Sequence, residues 1–167
     1  MWSLLCFWVA VAAARARRRC RGLSVRRVFV VCECSQAVAD ACNLEGHIAT
    51  SVDLKEGRGH SPHLVMDANT FLDMVAVGAV QCEVLVAHPP CTLLSRYAAV
   101  HYGRMGKGRV DRARALGLIT RLLRCMKTVA EVYVENPAGS RMCKRFGPPD
   151  VVLSPWEFGA NYDKPTG

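Results

Sequence analysis

The chain has 167 residues, enough for one domain with a proper core and too few for two. Hydrophobic residues make up 51% and charged residues 22%, which excludes a chain that is disordered throughout. The net charge of +8 is uneven: residues 1–27 carry seven arginines and no acid, while the remaining 140 hold 15 basic and 14 acidic side chains, so the excess belongs to a tail.

Residues 2–14 are apolar but fall short of the roughly 20 needed to span a bilayer. They resemble the core of a signal peptide, yet the arginines follow them instead of preceding them. A signal anchor, a basic targeting tail and a non-native extension are all open. Residues 1–26 are therefore read as a dispensable extension, and 27–167 as the domain. Membrane association is not expected.

The nine cysteines are an odd number and several sit in apolar runs. Cys32-Glu33-Cys34 has no partner cluster at metal-ligand spacing, so no metal is expected. Reduced thiols in an intracellular setting are the expectation.

Val28 to Cys32 reads as a first buried strand. A helix follows over 36–44, with Ser35 as its cap and Gly46 as its stop. A second strand covers 47–52 and ends in Asp53, a position that suits hydrogen bonds from ribose hydroxyls or the capping of a loop. Residues 55–62 form a Gly-rich polar loop. A short third strand over 63–66 ends in Asp67, which can either receive an adenine amino group or cap the helix predicted over 69–77. The fourth strand is 83–87, and it runs into His88-Pro89-Pro90-Cys91.

Cys91 stands at a strand tip, after two prolines that stiffen the loop. From Arg96 to Lys127 there are nine basic residues and a single acid, Asp111. Arg96, Arg104, Lys107 and Arg109 lie in a loop with three glycines, expected to be mobile and able to close over a ligand carrying phosphate. A long helix is predicted over 110–129. Ala115, Leu116, Leu118, Ile119, Leu122, Leu123 and Met126 fall on one face, and Arg109, Arg114, Arg121, Arg124 and Lys127 on the other. That basic face is either solvated or turned to nucleic acid.

The fifth strand, 132–134, leads into Glu135-Asn136-Pro137, 44 residues beyond Cys91. A carboxyl at the end of an apolar strand is partly desolvated, a setting suited to a proton donor. An ion pair with a nearby arginine is the bland alternative. A short helix is predicted over 140–146 and one more strand over 151–153. Strands alternating with helices imply parallel units and a doubly wound α/β sheet. The first turn lacks a GxGxxG cradle, which disfavours NAD and permits S-adenosylmethionine.

In motif order the chain resembles the DNA cytosine-5 methyltransferases, and most closely their small phage- and virus-encoded relatives. The carriers are CECS at 32–35, Asp53, AHPPCT at 87–92, VENP at 134–137 and SPWEFG at 154–159. The resemblance covers about Arg27 to the last residue. It implies a Rossmann-like fold, S-adenosylmethionine as cofactor and DNA as partner. Cys91 would add to C6 of cytosine, and Glu135 would contact ring N3 and the amino group. Cys34, Ser35, Asp53, Asp67 and Pro89 would line the cofactor pocket. Pro90, Asn136 and the four basic loop residues would face the substrate.

The chain also departs from that pattern. Gln36 stands where a glycine is expected, Glu-Asn-Pro replaces Glu-Asn-Val, and no QxRxR-like motif or target-recognition part follows. These departures imply a shortened copy, with target recognition supplied by a second protein chain. Two alternatives stay open: methylation of an exocyclic amino group, and a decayed module that only binds nucleic acid or a partner.

Overall fold

The computed structural model describes residues 24–94, 108–137 and 141–152. Its centre is a five-stranded, all-parallel sheet in the order β3-β2-β1-β4-β5. The strands are β1 (Arg27–Val31), β2 (Ile48–Asp53), β3 (His63–Val65), β4 (Val84–Ala87) and β5 (Glu131–Val134). The helices are α1 (Ala37–Leu44), α2 (Ala68–Ala76), α3 (Cys91–Leu94), α4 (Gly108–Arg124) and α5 (Arg141–Phe146). A 3-10 turn, Cys125–Lys127, extends α4. The mixed α/β architecture and this strand order are compatible with a Rossmann-like fold.

Side chains alternate across each strand, and the core divides accordingly. Phe29, Val31, Leu85 and Ala87 meet Phe71, Leu72 and Val75 of α2 and Leu118 and Leu122 of α4 on one face. Val28, Val30 and Val86 meet Val38 and Ala39 of α1 on the other. Both faces being covered explains why the central strands read as continuous apolar runs rather than as alternation. Leu94, Ala115 and Ile119 form a third cluster, with Met142 of α5 against it.

Expected elements recur with boundaries moved by a residue or two. Three local readings need correction. Ser35 does not cap α1: Gln36 is the cap residue, in the left-handed region at φ 62°, and its side chain makes no cap bond. Met126 is not on the buried face, because the switch to 3-10 geometry leaves it 60% exposed. Val151 and Val152 are irregular and exposed rather than strand, and Leu153 lies outside the described residues.

Candidate active site

Parallel register sets the site. Val52, Val31, Ala87 and Val134 stand side by side on neighbouring strands. The residues that follow are Asp53, Cys32, His88 and Glu135, so four ionisable residues stand in one row at the strand tips, with the Cys32 side chain packed back against the core. Backbone bonds prolong the ladder past the strand ends: Cys32 N to Val52 O at 2.8 Å, His88 N to Val31 O at 3.0 Å and Glu135 N to Ala87 O at 2.9 Å. Strand order reverses between β1 and β4, the place where open α/β sheets bind ligands.

The β1 side of this row is closed by the protein's own groups. Glu33, 3% exposed, turns back so that its carboxylate accepts from Val38 N at 2.8 Å and Ala39 N at 3.3 Å. It thereby fills the amide donors of the α1 N-terminus. Burial pushes the Glu33 carboxyl above its usual range, against the opposing bond from Val38 and the nearby His88. Ser35 Oγ donates to Glu33 Oε1 at 3.4 Å instead of capping the helix itself.

Gln36 shows why a glycine would be expected at its position: a left-handed residue with a Cβ carries a steric cost of about 1–2 kcal/mol. Its amide offsets that cost by clasping the loop after β2. Nε2 donates to Ser61 O, and Oε1 accepts from Gly59 N at 2.7 Å. Asp40 accepts from His60 N and from the amide and hydroxyl of Ser61. Burial pulls the Asp40 carboxyl upward, but those three donors outweigh it and hold it below its usual range. A Cβ on Gly59 would come within 2.7 Å of Gln36 Cβ, and one on Gly57 within 2.9 Å of His63 Cγ. Loop 55–62 is thus moulded onto the turn, and Arg58 N reaches Cys34 O at 2.9 Å.

Asp53 uses Oδ1 to accept from Lys55 N at 2.9 Å. Asp67 caps α2, with Oδ1 accepting from Asn69 N at 2.9 Å and Thr70 N at 3.3 Å. The helix-cap reading of Asp67 is therefore present. Cys32, also left-handed at φ 63°, has its thiol pushed up to about 12 by burial, with the charges of Asp53 and Asp67 adding to it.

The β4 side is built differently. Pro89 is buried, Pro90 exposed, and Cys91, partly exposed, opens α3. Glu135 does not pair with an arginine among the described residues: His88 Nδ1 lies 3.5 Å from Glu135 Oε2, and each side chain is 16% exposed. Asn136, 1% exposed, donates from Nδ2 to Pro89 O at 3.3 Å and so ties the Glu-Asn-Pro loop to the Pro-Pro-Cys loop. Among the described residues three buried side-chain atoms have no hydrogen-bond partner, and two of them, His88 Nε2 and Asn136 Oδ1, are here. The third is His47 Nδ1. Each such atom costs about 1–3 kcal/mol.

The fold therefore gathers Cys91, Glu135, Asn136, Pro89 and Pro90 at adjoining tips, with Cys34, Ser35 and Asp53 along the same edge. Arg96, Arg104 and Lys107 lie outside the described residues, and so does the Arg109 side chain. On α4, Arg121 pairs with Asp73 of α2, which commits part of the basic face to holding two helices together. Glu33 and His88 stand at the same tips but take no role in the sequence reading. The signal was there: an acid between the first strand and its helix, and a histidine one residue past a buried strand.

Among the described residues no cluster of His, Cys, Asp and Glu could hold a metal ion, and no helix is long and apolar enough to cross a membrane. No protein-family model matches the chain, and no curated protein matches it either.

Proposed function

We propose that this chain transfers a methyl group from S-adenosylmethionine to C5 of cytosine in DNA. The observation that carries the reading is the pairing of the Pro-Pro-Cys and Glu-Asn-Pro loops, tied by Asn136 to Pro89, at the tips of β4 and β5 beside the switch point of the sheet. A thiol and a carboxylic acid at adjoining tips suit nucleophilic addition to an electron-poor ring. Cys91 Sγ would bond to C6 while Glu135 contacts N3 and the amino group, so that electron density builds at C5. C5 would then take the methyl group, leaving S-adenosylhomocysteine, and loss of the C5 proton to a base with departure of Cys91 would restore the aromatic ring. In duplex DNA the cytosine would first leave the stack.

The β1 side fits the cofactor's charge. Two of the amides that would cradle a pyrophosphate at α1, Val38 N and Ala39 N, already hold Glu33, which weakens the site for a dinucleotide. S-adenosylmethionine carries a positive sulfonium centre and supplies the electrophilic methyl group when bound. Cys34, Ser35, Pro89 and the carboxylate of Asp53 would hold it. Asp67 keeps Oδ2 outside its helix cap for an amino group.

Two experiments test the reading. Duplex DNA containing 5-fluorocytosine, with S-adenosylmethionine present, should form a covalent adduct that vanishes in Cys91→Ser. An undiminished adduct in that variant removes Cys91 from its role. Calorimetric titration with S-adenosylmethionine should show binding that is lost in Asp53→Ala. A folded wild-type chain that binds none would leave the decayed module as the better reading.

A further inference from the structure

His88 lies between two carboxylates on neighbouring elements. Glu135 faces its Nδ1 at 3.5 Å from the tip of β5, and the buried Glu33 lies near it in the turn after β1. Its backbone is fixed, because His88 N bonds to Val31 O at 3.0 Å. The rigid Pro89-Pro90 pair follows, and Pro89 is held by Asn136. Its Nε2 is buried with no partner among the described residues.

We infer that His88 is the positioning residue for Glu135: its imidazole, set in place by the β4 loop with Nδ1 3.5 Å from Oε2, closes to a hydrogen bond with the carboxyl as the base binds and so fixes which way it faces. Nothing in this requires a particular charge on the ring, since Nδ1 donates in the imidazolium and in one neutral tautomer. His88 does not touch the base itself. The inference rests on the cytosine reading for its effect on rate, and on the 3.5 Å pair alone for its geometry.

The two ring nitrogens are separable by substitution. An asparagine amide nitrogen falls near the place of Nδ1, and a glutamine amide reaches toward that of Nε2. Adduct formation on 5-fluorocytosine DNA should be timed with the full chain, at saturating DNA and S-adenosylmethionine. His88→Ala should slow it about 100-fold, as misplacement of a reacting group does, with little change in the DNA concentration for half-saturation. His88→Asn should recover most of the rate, and His88→Gln should not. Far-ultraviolet circular dichroism checks that each variant is folded.

Equal rates in wild type and His88→Ala, or rescue by Gln as good as by Asn, would overturn the inference. Long-range proton–nitrogen spectra of the imidazole test the pair without DNA. The Nδ1 resonance of His88 should move in Glu135→Gln, and an unmoved resonance overturns the inference whatever the chain catalyses. A moved resonance with no adduct from wild type would overturn the cytosine reading and leave the pairing standing.

Discussion

The two halves of the sheet's C-terminal edge are built on opposite plans. At the tips of β1 and β2 the polar groups satisfy one another: Glu33 caps α1, and Gln36 and Asp40 grip loop 55–62, while the unpaired His47 Nδ1 lies at the far, N-terminal end of β2. Around β4 and β5, His88 Nε2 and Asn136 Oδ1 are buried and unpaired. The first half is self-sufficient and gains stability from its contacts. The second keeps polar atoms uncommitted, as sites that complete themselves with a substrate do. Substitutions should therefore cost stability on the β1 side and activity on the β4 side.

The largest stability effect is expected at Gln36. Gln36→Ala removes both clasp bonds, leaves partly buried backbone groups of the loop without those partners and retains the left-handed strain, at about 2–3 kcal/mol by denaturant melts. Gln36→Gly loses the same bonds but relieves φ 62°, so it should be milder by about 1 kcal/mol. Equal losses in the two would mean that backbone strain contributes nothing there.

Asn136→Ala sharpens the contrast from the other side. It removes an unpaired buried oxygen but leaves Pro89 O without its donor, and the two effects partly cancel, so the unfolding free energy should fall by about 1 kcal/mol. Adduct formation should fall at least about 10-fold, because the two loops are no longer tied. A large loss of stability with unchanged activity would reverse the comparison.

The smallest effect is a pH trend at Glu33. Its folded carboxyl titrates above the ordinary value, so its contribution to stability is fully present below pH about 4.5 and is lost as the pH rises through the folded pKa. Glu33→Gln has no charge to bury. The difference in melting temperature between variant and wild type should therefore shift toward the variant between pH 4 and pH 7. A shift toward wild type would show that the capping bonds outweigh burial.

Much of the frame was legible because parallel strands buried on both faces leave uninterrupted apolar runs, as in Val84 to Ala87. The tips were legible for the same reason: proline after a buried run marks where pairing stops. What was hidden depends on contacts distant in sequence. Ser35 looks like a helix cap, and only the backbone turn at Gln36 shows that the helix starts later and takes its carboxylate from Glu33. Glycines at 57 and 59 suggest a loose loop, yet they are there because Gln36 and Asp40 lie where a side chain would go. The row Asp53, Cys32, His88, Glu135 is a product of register, which no single strand carries.

The buried thiols have a practical consequence. Burial pushes Cys32 up to about 12, and Cys42 and Cys82 up to about 11, so all three stay protonated in neutral buffer. A water-soluble alkylating reagent will pass over them while the fold is intact. Cys91, partly exposed like Cys34 and Cys143, stays open to the reagent, and each can be read separately on its own peptide. Peptide mass spectrometry can count the labelling of Cys91 with and without DNA, giving a footprint of the β4 tip with no substitution introduced.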